Sequence, residues 1–152
     1  MIMATVILGT HLMAIAIDPF DKNTWPQGDR IWTLARAIAS AEGYGTLVDG
    51  VPSNPTRLAN PGDISDGFKI YSGEVHSGSA ITHFPNQETG WQWLHDKLEN
   101  IFNGRSMIYK PTMTFLEMAT IWAGDWESWL ENVNRELGTS PSETLESWYS
   151  GG

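Results

Sequence analysis

Residues 29–45 constrain the fold more than any other stretch. Asp29 precedes Ile31, Leu34, Ala35, Ile38 and Ala39, which are spaced as one face of a helix, and Gly43 and Gly45 follow. This spacing predicts a helix capped by Asp29 and stopped by the two glycines. Its apolar stripe must be buried, and the rest of the chain offers the partners. Trp91, Leu94, Leu98, Ile101 and Phe102 form a second stripe that ends at Gly104. Thr114 to Glu117 reads as a capping box opening a helix through Trp122. Asp125 is expected to cap a stripe of Trp126, Trp129, Leu130, Val133 and Leu137, closed by Gly138. Ser140-Pro141-Ser142-Glu143 predicts the opening of a last short helix.

Between these helices, Gly45 to Pro85 is rich in Gly, Pro, Asn, Asp and Ser, with β-type runs at 68–71 and 80–84. We expect a long loop followed by a small hairpin with Gly73 and Gly78 near its turn. The fold class is therefore α+β, mostly α, with a small β-hairpin region between helices. A chain of 152 residues fits a single domain, 1–152, in which 1–28 form an N-terminal apolar segment and connector and 29–149 the core.

Residues 1–17 are apolar apart from a break at Gly9, Thr10 and His11. A signal peptide would carry a cationic start, whereas the first basic residue is Lys22. A bilayer span needs about 20 apolar residues. A buried helix is the expected state, and membrane association through 1–17 is not favoured.

Nine Lys+Arg against eighteen Asp+Glu give a net charge of -9, and neither half of the chain is basic, which argues against nucleic acid as a partner. With no Cys, a thiolate nucleophile and Cys-ligated metals are excluded. His11, His76, His83 and His95 lack ligand spacing such as His-x-x-x-His, so neither a metal site nor a cofactor is expected. Eight Trp are more than a small core needs, and some are expected to line a groove.

The residue that stands out is Glu42. It lies eleven, seven and four positions after Ile31, Ala35 and Ile38, within about 40° of the apolar stripe at 100° per residue. It also falls at the negative end of the helix dipole. Both effects disfavour the carboxylate and favour a neutral acid near neutral pH, as general acid catalysis requires. A glutamate reaching solvent at a frayed helix end is the plainer alternative.

Around this residue the chain resembles a known family. The stretch Ala37 to Gly45, with its "AEG", is followed by Arg57-Leu58-Ala59-Asn60-Pro61-Gly62-Asp63-Ile64. Further on come Phe84 to Trp91, Asn103-Gly104-Arg105-Ser106, and Ile121 to Asp125 with Asn132-Val133 downstream. In this order, over roughly residues 29–140, the motifs are similar to those of lysozyme-like domains of bacterial and phage cell-wall enzymes. The resemblance implies a lysozyme-like fold and cleavage of the β-1,4 bond between N-acetylmuramic acid and N-acetylglucosamine in peptidoglycan. It places Glu42 as catalytic acid/base, with Tyr44, Arg57, Asn60, Asp63, Tyr71, Trp122 and Asn132 as substrate-binding candidates. Tyr44, Tyr71 and Trp122 would stack on sugar rings, and Asn60-Pro61-Gly62 would present backbone groups to an N-acetyl. For Trp91, Trp126 and Trp129, on helical stripes, core packing is expected instead.

A glycoside hydrolase usually employs a second carboxyl. Asp49, Asp63, Asp66 and Asp125 are candidates, and spacing does not choose among them. Asp63 lies inside the shared motif, but the family also accepts Asn there. A lytic transglycosylase needs one glutamate only, and a chain with a single clear carboxyl leans toward that reaction. The expected setting is the bacterial cell wall (periplasmic, extracellular or virion-associated), acting as a monomer on glycan strands. The net charge of -9 departs from the cationic habit of freely diffusing wall enzymes, because peptidoglycan is itself anionic. Local delivery by a particle or secretion apparatus would remove the need for steering. The alternative is a non-catalytic virion-associated or wall-binding module of the same fold, and chitin is a minor alternative substrate.

Overall fold

The computed structural model describes residues 16–65 and 81–151 in full, together with the backbone pairing of strands at 5–8 and 11–14. The architecture is α+β and mostly helical. Helix α1 (Arg30–Ala41) is the centre of the assembly and packs against α3 (Gln87–Phe102) and α5 (Trp126–Leu137), while α5 also packs on α4 (Phe115–Trp122). The Asp29 side chain caps α1 by accepting from Trp32 N, and the stripe from Ile31 to Ala39 is buried as its spacing predicts.

α1 ends in a way that fixes what surrounds Glu42. The N–H of Gly43 (φ 82°) donates to Ser40 O at 3.1 Å, and that of Tyr44 donates to Ala39 O at 3.0 Å. This pair of bonds is a Schellman motif, which leaves Glu42 as the last αR residue and folds Tyr44 back against the helix. Tyr44 therefore enters an aromatic core with Trp25 and Trp91, ring centroids 5.1–5.3 Å apart, and its hydroxyl donates to Gln87 Oε1 at 2.7 Å.

Two short antiparallel strands, β3 (Leu47–Val48) and β4 (Val51–Pro52), follow, then a one-turn helix α2 (Asn54–Arg57). A small hairpin between helices thus sits at 47–52, within the stretch expected to be loop; the hairpin expected at 68–84 is a separate expectation. Most of that predicted hairpin lies outside the described residues. Its last part, 81–84, runs extended and joins the 58–64 loop through Thr82 N to Ile64 O (3.1 Å) and Phe84 N to Leu58 O (3.0 Å).

The helices α3, α4 and α5 form where their stripes require. Asn86 caps α3, the Thr114/Glu117 capping box is complete, and Gly138 (φ 69°) closes α5. Three expectations need correcting. Asp125 occupies the N-cap position of α5 without a side-chain cap bond. Ser140 to Glu143 forms a turn, and the last helix, α6 (Leu145–Tyr149), is capped by Thr144 instead. Finally, the helix expected within 1–17 is replaced by two antiparallel strands, β1 (Thr5–Leu8) and β2 (His11–Ala14), with Leu8 paired to His11. The β-branched run Thr5-Val6-Ile7 and the Gly-Thr pair between two apolar runs favour a hairpin over a helix. Among the described residues no helix is long and apolar enough to cross a membrane.

Candidate active site

The end of α1, the 63–65 loop, Ile81, the α4–α5 connection and the first turn of α5 enclose a cavity of about 370 Å³. This is within the size range of small-molecule sites. Ala41 and Glu42, Asp63 and Ser65, and Trp122 to Asp125 with Ser128 and Trp129 line it.

Glu42 is held by two indoles. Trp129 Nε1 donates to Glu42 Oε2 at 2.9 Å and Trp122 Nε1 donates to the same oxygen at 3.1 Å. The two rings stack on each other, centroids 6.0 Å apart. Burial, followed by repulsion from the Asp63 carboxylate, pushes Glu42 up to about 8, against the pull of the two indole N–H groups, which favour the anion. At neutral pH the carboxyl is therefore mostly protonated. Because two donors occupy the lone pairs of Oε2, the proton belongs on Oε1.

Asp63 is also partly buried, and burial raises its pKa above the ordinary carboxyl value. Its position is built by Asn60, which is fully buried. Asn60 Nδ2 donates to Ile64 O (2.9 Å) and Thr82 O (2.8 Å), while its Oδ1 accepts from Ile64 N (2.8 Å). This clasp holds Asp63 in the left-handed region at φ 50°. The loop in turn lies directly on α3: a Cβ at Gly90 would fall 1.8 Å from Ala59 O, and one at Gly62 would fall 2.8 Å from Leu94 Cδ1. Only glycine permits the first approach.

A second cavity of about 400 Å³ lies on the other side of this loop, lined by Ile64, Trp93, Lys97 and Tyr109 among others. Asp63 and Ser65 face one cavity and Ile64 the other. Tyr109 and Trp122 also adjoin, at 5.6 Å between centroids, and Lys97 Nζ lies over both rings.

Of the predicted site residues, the structure brings together Glu42, Asp63 and Trp122. It does not bring the others. Tyr44 is in the core, as the C-terminal geometry of α1 dictates. Asn60, Pro61 and Gly62 are buried and serve the loop clasp rather than presenting groups to the cavity. Arg57 is exposed on α2, bonded to Asn54 Oδ1. Asn132 is one turn beyond Ser128, outside the cavity lining, and accepts from Arg135. Tyr71 and Asp66 lie outside the described residues, Asp49 is exposed in the β3–β4 turn, and Asp125 is exposed at the cavity rim. Sequence reasoning missed Trp129 as a site residue: its stripe position correctly indicates burial, but not that its N–H edge faces Glu42. Ser65, Ile81 and Ser128 carried no sequence signal.

No protein-family model matches the chain, and no curated protein or solved structure matches it either.

Proposed function

We propose that this chain cleaves the glycan strands of peptidoglycan at the MurNAc-β-1,4-GlcNAc bond, with Glu42 as general acid and then base. The observation that carries the proposal is a carboxyl kept neutral near pH 7 at the wall of a sugar-sized cavity, its free oxygen Oε1 holding the proton. In the reaction Oε1 gives that proton to the glycosidic oxygen as the bond breaks. The charge left on the carboxylate is received by the two indole N–H groups already in place. Glu42 then takes a proton from the group that attacks the sugar. Asp63 supplies negative charge across the same cavity, where an oxocarbenium-like sugar would develop positive charge. The substrate class rests on the lysozyme-like motifs around Glu42 and Asp63. Two cavities lined by neighbouring residues of the 63–65 loop suit a polymer longer than one sugar.

Glu42→Gln keeps the size of the side chain and the acceptor for both indoles. It is expected to lose roughly 10²–10⁴-fold in release of soluble fragments from purified sacculi while remaining folded. Full activity in this variant removes the proposal. Sacculus binding without any fragment release by the unaltered chain would instead support the non-catalytic wall-binding module. Mass spectrometry of the released muropeptides identifies the attacking group, because a 1,6-anhydro end formed by the muramyl hydroxyl is one water lighter than a hydrolysed end.

A further inference from the structure

We propose a divalent transition-metal site on the outer face of α3, formed by His95, Asp96 and Glu99 and oriented by Asp29 of the α1 cap. One ligand atom from each of the three residues lies within 4.8 Å of the others. The carboxylates alone would be an ordinary exposed acidic pair. What distinguishes the place is the imidazole: the His95 side chain is nine-tenths buried, and its Nδ1 is fully buried with no hydrogen-bond partner. That atom is aimed at Asp96 Oδ1, 3.5 Å away.

The other ring nitrogen explains why Nδ1 is a ligand. His95 Nε2 lies 3.4 Å from Asp29 Oδ2 and Nδ1 lies 3.5 Å from Asp96 Oδ1, so each ring nitrogen faces a carboxylate; in the tautomer that donates from Nε2 to Asp29, Nδ1 presents a lone pair. In that tautomer no hydrogen lies between Nδ1 and the Asp96 carboxylate, and a cation satisfies both together with Glu99. A carboxylate on the far nitrogen is also the usual support of a metal-bound histidine. Asp29 is itself fixed, since its Oδ1 caps α1 through Trp32 N at 2.8 Å. Asp96 is supported in the same way by Gln92 Nε2, which donates to its Oδ1 at 2.9 Å. The Trp32 ring packs tilted against the His95 ring, centroids 4.2 Å apart, and limits its rotation.

The distances fit a small ion. Ligands about 2.0–2.1 Å from a tetrahedral metal are ~3.3 Å from one another. The Nδ1–Asp96 separation is already close to that edge length, and Glu99, exposed on a flexible stem, has little to travel. One imidazole with two carboxylates suits zinc or a neighbouring divalent ion, with water completing the shell. The ion would sit on α3 alone, tied to the start of α1 only through the His95–Asp29 contact. Only one of its ligands is a histidine, so the site carries no paired-histidine signature in the sequence.

Titration calorimetry of the full chain with zinc ion alone is expected to show one site in the micromolar range. Asp96→Asn and Glu99→Gln, both at exposed positions, should each weaken it at least tenfold. Asp29→Asn keeps a capping oxygen but offers Nε2 a donor, which moves the ring proton to Nδ1. It should weaken binding by about 10–100-fold without touching the metal. The ¹⁵N resonance of His95 Nδ1 should shift on zinc addition in the unaltered chain. Absence of a one-equivalent site below about 1 mM, or equal affinity in the Asp96 and Glu99 variants, overturns the proposal.

Discussion

Replacing Glu42 by Gln does more than remove a proton donor; it removes a pH-dependent burden on the fold. In the unfolded chain the carboxyl titrates at its ordinary value of 4.5, and in the folded chain at about 8. Between these values the folded state holds a proton that the unfolded state has released. Stability contributed by the neutral carboxyl is complete below pH 4.5 and is lost as pH rises through about 8. At 1.36 kcal/mol per pH unit this amounts to at most about 5 kcal/mol. Water drawn toward the ionised group brings the expected value to roughly 3–5 kcal/mol. Gln is neutral throughout and presents the same acceptor to Trp122 and Trp129. The variant should therefore match the unaltered chain near pH 4 and exceed its stability by that amount at pH 9. Urea unfolding of both proteins at unit pH intervals and constant ionic strength measures the difference, and titrations elsewhere in the chain cancel. With a slope of about 2 kcal/mol per M, the midpoints should separate by roughly 2 M at pH 9. Parallel pH curves for the two proteins would refute the claim that burial holds Glu42 neutral.

Asp63→Asn removes the repulsion that helps raise Glu42, so the alkaline limb of the pH–activity profile should move to lower pH. Asn tolerates the positive φ at this position, so the loop should persist, and an unmoved limb would deny the coupling between the two carboxyls. Gly90→Ala places a methyl 1.8 Å from Ala59 O and is expected to cost at least about 3 kcal/mol, lowering Tm by roughly 6–12 °C in a thermal melt. A melt unchanged from the parent would mean that the loop can withdraw from α3.

How much of this was legible in the chain depends on what each signal reports. Periodicity located α1, α3, α4 and α5 because a helix that buries one face repeats its apolar residues in register with its turn. The same signal placed Glu42 on the inward side of α1 and so foresaw its raised pKa. Periodicity reports a face and not an edge, which is why Trp129 was read as core alone although its N–H reaches Glu42. Tyr44 is a candidate for stacking on sugar rings by its place beside Glu42, but the direction in which the chain leaves the helix depends on the bonds to Ser40 and Ala39, which turn it into the core. Asn60 illustrates a further limit. Its three hydrogen bonds join segments up to 22 positions apart, and nothing local distinguishes such a clasp from an ordinary turn. For residues 1–17 the buried helix rests on apolar length alone, a signal blind to the β-branched run Thr5-Val6-Ile7 that suits the strands found there.

The seating of the Asp63 loop on α3 has a consequence for how the acid behaves in use. One jaw of the cleft is anchored by the Gly90–Ala59 approach, while Glu42 and its two tryptophans belong to the other. A guest lodged in the cleft displaces solvent that shields the two carboxyls from each other, strengthening their mutual repulsion and deepening the isolation of Glu42. Occupancy and protonation are thereby linked: each favours the other, so filling the cleft holds Glu42 more firmly in its neutral form.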